Sequence, residues 1–191
     1  MPDYRRAFTP GGTFFFTLVT ERRQPILCDP AARRILRNAI ATAARSRPFK
    51  LPALVILPDH LHAVWQLPAG DADFSSRWSH IKSLFTREWL VAGGRETAVS
   101  DSRRRNRRRG VWQRRFWEHA LRDENDFNRH VDYIHYNPVK HGLAACPHAW
   151  PWSTFHRWAK NDYYDPEWCC TCAAGPSSPI DSTWANKLDM E

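Results

Sequence analysis

Apolar and polar positions change rhythm along this chain, and each change marks an element. Residues 13–20, Thr13-Phe14-Phe15-Phe16-Thr17-Leu18-Val19-Thr20, are an unbroken aromatic and β-branched run. That is the composition of a strand covered on both faces in the middle of a sheet. Over residues 30–47 the rhythm becomes helical: Ala32, Ile35, Leu36, Ala39, Ile40 and Ala43 recur at three- and four-residue spacing, arginines lie between them, and Pro30 suits the first turn. Two short apolar runs, 51–57 and 60–67, are joined by Pro58-Asp59 and predict a hairpin. A second helix is expected over residues 71–91, with Trp78, Ile81, Leu84, Phe85 and Trp89 inward, Arg77, His80, Lys82 and Arg87 outward, and Gly93-Gly94 ending it. Residues 111–120 read as a fourth strand. Asp123 then caps a helix whose first turn is acidic and whose Phe127, His130, Val131 and Ile134 share one face.

Strand, helix, strand, strand, helix, strand, helix is a split βαβ order. It predicts an α+β, ferredoxin-like fold: an antiparallel central sheet with helices on one face and a further helix, carrying Tyr133, after the fourth strand. A chain of 191 residues with ten Trp and ten Phe can bury one substantial core. The domain is expected over residues 1–158, with the Trp-rich 144–158 packing back on it, 93–110 a mobile Arg-rich connection, and 159–191 a loosely attached tail. No run of 18 apolar residues spans a bilayer and the first residues lack a secretory apolar segment, so the expectation is a cytoplasmic protein with reduced thiols and no membrane partner. The formal net charge of +8 points to a polyanion, most often nucleic acid. Much of the excess is local, because Arg103, Arg104, Arg105, Arg107, Arg108 and Arg109 form one run.

Candidate chemistry centres on Pro58-Asp59-His60-Leu61-His62. In a strand His60 and His62 point the same way, so two imidazoles on one rigid face supply half of a metal site. Nine His in 191 residues give roughly 0.4 such pairs by chance, so the pair needs partners from elsewhere. Tyr133 and Asn137, four apart and hence on one side of their helix, offer a phenol nucleophile and an amide oxygen. Tyr136 competes for the nucleophile's role, but four residues after it stands Lys140, which cannot ligate a cation, and this favours Tyr133. Pro138 is expected to distort the turn at Asn137. Two imidazoles and an oxygen suit Mn2+ or Mg2+, with Zn2+ also accommodated, and such an ion would polarise a phosphoryl oxygen. Arg5, Arg6, Arg77, Lys82, Arg114, Arg115 and Lys140 are the candidate phosphate contacts. His119, His135 and His141 are further candidate ligands or phosphate contacts, but each taken singly reads as a satisfied polar neighbour. Cys169 and Cys172 have zinc-like spacing, but no second Cys pair follows them.

These stretches together resemble the REP-associated tyrosine transposases, a branch of the HUH single-tyrosine transposase superfamily. The resemblance is carried by Tyr4-Arg5-Arg6, Gly11-Gly12-Thr13, Leu57-Pro58-Asp59-His60-Leu61-His62, Phe74-Ser75-Ser76-Arg77-Trp78, Arg115-Phe116-Trp117-Glu118-His119, His130-Val131-Asp132-Tyr133-Ile134, Asn137-Pro138-Val139-Lys140-His141-Gly142 and Trp150-Pro151-Trp152-Ser153-Thr154-Phe155-His156, in order over residues 4–158. It implies that His60 and His62 are the metal pair, Tyr133 the nucleophile and Asn137 a third ligand, where wider superfamily members often have Gln. It also implies cleavage of single-stranded DNA through a 5′-phosphotyrosine link that leaves a free 3′-OH, on a REP hairpin flanked by a GTAG-like tetranucleotide, in a nucleoid-associated protein that is a monomer or a homodimer. A non-catalytic hairpin-binding regulator is the alternative, and a zinc hydrolase of small molecules fits the histidines but leaves Tyr133 unexplained.

Overall fold

The computed structural model describes residues 8–106, 108–165 and 167–171. Its elements are β1 (Thr13–Val19), α1 (Pro30–Ser46), β2 (Lys50–Ile56), β3 (His60–Gln66), α2 (Phe74–Val91), α3 (Asp101–Arg105), β4 (Trp117–Ala120), α4 (Glu124–Lys140) and α5 (Phe155–Ala159). The three long helices begin where a side chain satisfies a backbone N–H that the helix cannot. Asp29 accepts from Ala31 N at 2.6 Å, Asp73 from Ser76 N at 3.0 Å and Asp123 from Asp126 N at 2.8 Å.

The strands form one antiparallel sheet in the order β2-β3-β1-β4, the split βαβ arrangement that the element order predicts. Because side chains alternate, one register defines both faces. Phe14, Phe16, Leu18, Leu61, Ala63 and Trp65 pack with α1 and α2, while Phe15, Val55 and Val64 pack with Val131, Tyr133 and Ile134 of α4. Thus α1 and α2 share one face and the tyrosine helix covers the other. In the register of β1 on β3, Val19 stands opposite His60 and Thr17 opposite His62, so both histidines point toward α4.

Four expectations need correction. The fourth strand is four residues long, not ten: upstream of Trp117 only the Thr20–Trp112 bridge joins the sheet, and Gln113, Arg114 and Arg115 are exposed. Three consecutive polar residues cannot alternate between two buried faces, so the chain leaves the ladder there. The 93–110 connection contains α3, is held to the domain at its middle by Arg103 to Glu21 at 2.8 Å, and has its two ends tied to each other by Arg109 to Glu96 at 2.6 Å and Thr97 N to Gly110 O. Arg77 points inward and is 2% exposed. Its guanidinium donates to Asp71, at 2.6 Å and 3.1 Å, and to the carbonyls of Arg47, Pro48 and Asp73. Finally, the described part of the 159–191 segment is not loosely held: Tyr164 and Trp168 stack on Phe155, and Tyr164 reaches Asp132 of α4. Residues 144–158 do pack back, with Thr154 N donating to Leu54 O and Trp150 Nε1 to Ile56 O.

Candidate active site

The two-residue turn Pro58-Asp59, closed by Leu57 N donating to His60 O at 2.9 Å, brings the Asp59 carboxylate beside the first histidine. His60 Nδ1 lies 2.6 Å from Asp59 Oδ1, and Arg23 holds the other carboxylate oxygen at 3.1 Å. Burial raises the Asp59 pKa, but the hydrogen bonds from His60 and Arg23 outweigh it and hold the carboxyl at about 2, so Asp59 is an anion at neutral pH. A carboxylate accepting from Nδ1–H leaves the His60 Nε2 lone pair for a ligand. His62 is arranged in the same sense: its Nδ1 is 2.9 Å from Thr17 Oγ1, across the sheet, and its buried Nε2 has no hydrogen-bond partner among the described residues. Burial first, with the charges of Lys140 and Arg23 nearby, lowers the His62 pKa well below the ordinary imidazole value. His62 is therefore neutral and able to donate a lone pair.

From the opposite side, α4 delivers the remaining groups. The Tyr133 ring centroid is 5.2 Å from His62 and 6.0 Å from Phe15, and the residue is 0% exposed. One turn on, Asn137 is also fully buried, and neither its Oδ1 nor its Nδ2 has a hydrogen-bond partner among the described residues. A buried primary amide without hydrogen bonds costs several kcal/mol unless something else takes the oxygen. Pro138 does not end the helix: α4 runs to Lys140, and His141 N closes on Asn137 O at 3.0 Å. Lys140 Nζ stands 5.1 Å from the Tyr133 ring centroid, and the His141 ring is 5.4 Å from His60. His60 and His62 are 5.0 Å apart, ring to ring. Two oriented imidazole nitrogens and an orphan amide oxygen are a donor set that fits a hard or borderline divalent ion such as Mn2+ or Mg2+.

Of the residues singled out in the sequence, His60, His62, Tyr133 and Lys140 therefore meet, and Asn137 lies one helical turn from Tyr133. Lys82 and Arg114 are elsewhere, lining a groove between α2 and the arginine segment together with Arg87, Arg103, Arg108 and Arg109. Lys82 spans its floor, with Nζ 2.5 Å from Gln113 O. Arg115 is exposed, Arg77 is internal, and Arg5 and Arg6 lie outside the described residues. Two neighbours of the histidine pair escaped the sequence reading: Asp59 passed as a turn residue and Thr17 as a strand residue. A carboxylate directly before the His-x-His pair was the available signal for the first, whereas Thr17 needs the sheet order.

A second group, His119, Asp126 and His130, brings its donor atoms within 4.8 Å of one another. Phe15 stands between it and the first, 5.4 Å from His62 and 4.8 Å from His130. Here the carboxylate is already engaged: His119 Nε2 is 3.1 Å away, and Arg122 donates both N and Nε.

No family model matches the chain. A REP-associated tyrosine transposase of Escherichia coli (strain K12) is 44% identical over 169 residues, which cover 88% of this chain and 91% of that protein. A relative in Haemophilus influenzae, named for the same kind of transposase, is 42% identical over 169 residues, 88% of this chain and 93% of its own. Among solved structures, a REP-associated tyrosine transposase bound to a REP hairpin superposes with a TM-score of 0.73 at 41% identity, over 93% of this chain and 98% of that one. With the sheet order, the paired histidines and the tyrosine helix in place, these relatives establish that the chain belongs to the REP-associated tyrosine transposase family.

Proposed function

We propose that this protein cuts and rejoins single-stranded DNA beside REP-type hairpins, with Tyr133 as nucleophile and a divalent ion, Mn2+ or Mg2+, held by His60, His62 and Asn137. The observation that carries the reading is the set of orphan ligand atoms, His62 Nε2 and Asn137 Oδ1, on the two elements that also hold the Tyr133 ring 5.2 Å from His62. An ion bound there supplies Lewis-acid polarisation of a non-bridging phosphoryl oxygen. The protein's own groups do the rest. Asp59 and Thr17 fix the ring orientation of His60 and His62. Ionising an ordinary phenol at pH 7 costs about 4 kcal/mol, and the Lys140 ammonium beside the ring lowers that cost. The phenolate oxygen bonds to phosphorus, the bond from phosphorus to the 3′ oxygen breaks, and that oxygen leaves as a free 3′-OH after taking a proton. Attack by a 3′-OH on the phosphotyrosine reverses the step and rejoins the strand.

The substrate is a REP-type hairpin with an adjacent GTAG-like tetranucleotide, since the hairpin is what the solved relative holds. The basic groove of Lys82, Arg87, Arg108 and Arg114 suits its phosphates. Such a protein works on chromosomal DNA, in the reducing interior of the cell. One observation favours a second reading, a regulator that binds hairpins without chemistry: Tyr133 has no exposed surface. The deciding experiment incubates end-labelled hairpin DNA with Mn2+ or Mg2+ and looks for a denaturant-stable protein–DNA adduct. Tyr133→Phe should abolish the adduct and Tyr136→Phe should keep it. An adduct on the Tyr133→Phe protein refutes the nucleophile, and chelator-resistant hairpin binding with no adduct under any divalent ion establishes the regulator.

A further inference from the structure

Cys146 and His148 stand at and just after the start of a 3₁₀ turn, Pro147–Ala149, in the loop that follows α4. Cys170 lies 24 residues beyond Cys146 in sequence. One backbone bond, Thr171 N to Ala145 O at 2.8 Å, brings the two segments together, and Cys170 N to Glu167 O at 3.0 Å forms the turn of the second. The Thr171 hydroxyl adds a second bond to Ala145 O at 3.0 Å. As a result Cys146 Sγ, His148 Nδ1 and Cys170 Sγ all lie within 4.8 Å of one another, and His148 Nδ1 is 3.9 Å from Cys170 Sγ. Cys146 is buried and Cys170 is half-buried, while His148 closes the solvent side. Cys146 and Cys170 stand as a disulfide pair.

We propose that in the working protein these residues are instead the ligands of a structural zinc ion: two thiolates and an imidazole from two loops, remote from the catalytic histidines. Three arguments converge. Two thiols and an imidazole from two loops converge on one point, and two thiolates with an imidazole are a ligand set that zinc takes. In a tetrahedral zinc site a sulfur and a nitrogen ligand are about 3.6 Å apart, within a few tenths of an ångström of the His148–Cys170 separation. Thiols of a protein that works on chromosomal DNA stay reduced; this last argument rests on the proposed function, and the first two do not. The neighbouring Cys169 thiol, or a solvent molecule, is the candidate fourth ligand.

The ion's place in the fold gives it a purpose. It clasps residues 167–171 to the loop after α4, which keeps Trp168 against Tyr164 and Phe155, with ring centroids 4.5 Å and 6.1 Å away. Tyr164 in turn donates to Asp132 Oδ1 at 2.7 Å, and its oxygen is 3.0 Å from His135 Nδ1. Asp132 and His135 flank Tyr133 on α4. The clasp thus steadies the helix that carries the nucleophile.

The test uses the full chain purified anaerobically in a thiol-free reductant. Elemental analysis should find about one zinc per chain, released by a mercurial. The ion should be lost in Cys146→Ser and Cys170→Ser, and lost or weakened in His148→Asn, an exposed position that leaves the fold intact. His60→Ala combined with His62→Ala should retain it. Replacement by Co2+ should produce sulfur-to-cobalt charge-transfer bands in the near ultraviolet, and Cys169→Ser separates a thiol from a solvent molecule as the fourth ligand. Absence of zinc, a mass lower by two hydrogens that returns on reduction, or zinc retained by the Cys146→Ser and Cys170→Ser proteins would overturn the proposal. The adduct assay on the same preparations is independent, so a zinc protein without strand cleavage and a cleaving protein without zinc are distinct results.

Discussion

Lowering the pH from 7 to 5 should weaken this fold by about 4 kcal/mol, from two buried histidines alone. His130 is held at about 4, by burial first, opposed by its bonds to Asp126, with His119 and Arg122 adding positive charge nearby. His135 is held at about 3, by burial first and then by the charges of Arg157 and His156. Among the described residues no carboxylate contacts the His135 ring nitrogens. The Tyr164 hydroxyl donates to Asp132 and so accepts from His135 Nδ1–H, while Nε2 lies 2.9 Å from the Thr154 oxygen, whose one proton is shared between that nitrogen and Leu54 O at 3.2 Å. Both folded-state values lie below the unfolded value near 6.5, so the unfolded chain binds protons that the folded chain refuses. Stability is complete above about pH 6.5 and falls as pH drops toward 4 and 3, by about 1.4 kcal/mol per unit for each residue. At pH 5 that amounts to about 2 kcal/mol apiece. His62, also lowered, adds to the loss in metal-free protein. Asp132, whose carboxyl is raised by burial against the bond from Tyr164, opposes it, but only as the pH nears the carboxylate range. Urea unfolding of chelator-treated protein at the two pH values measures the difference, and His135→Gln should remove roughly half of the slope attributed to the pair. A difference below about 1 kcal/mol would refute the buried, neutral assignment of these rings.

Saturating Mn2+ at about a hundred times its dissociation constant should stabilise the protein by about 2.7 kcal/mol, and thermal unfolding of His62→Ala should show no such gain. Asp59→Asn removes the carboxylate that orients His60 without touching the ion, and calorimetry should find metal affinity lower by about 10- to 100-fold; unchanged affinity would remove Asp59 from the site. Arg77→Met leaves three backbone carbonyls without their donor and should cost about 3 kcal/mol by denaturant titration, with the salt dependence of hairpin binding unchanged. Arg114→Ala, by contrast, should reduce the slope of log affinity against log salt by about one in a filter-binding series.

What could be read from the sequence was whatever local chemistry dictates. The α1 stripe, the Pro58-Asp59 hairpin and the Asp123 cap each depend on neighbours a few residues apart, and each stands where the pattern puts it. Arg77 shows a local signal overruled by residue type: Phe74, Arg77, Trp78, Ile81 and Phe85 share one helical face by spacing, yet a charge argued for the outside. The partners that reverse the argument, Asp71 and the carbonyls of Arg47 and Pro48, are gathered only in the fold. The arginine connection looked free because its anchor Glu21 is 82 residues from Arg103. At the candidate site the proposed ligands could be picked out and their hydrogen-bond partners less so, since Thr17 meets His62 only through strand order. The reading of Cys169 and Cys172 looked for a second pair after them, whereas Cys146 and His148, which meet Cys170 in the fold, precede them.

The sealed position of Tyr133 carries a consequence for how such a protein discriminates. A strand that merely diffuses past meets no phenol to react with, because the ring is wedged among Phe15, His62 and the body of α4. If DNA is cut by Tyr133 as proposed, only a ligand whose binding opens this packing reaches the hydroxyl. On that proposal, target and bystander DNA are told apart in the uncovering, before any bond to phosphorus is at stake.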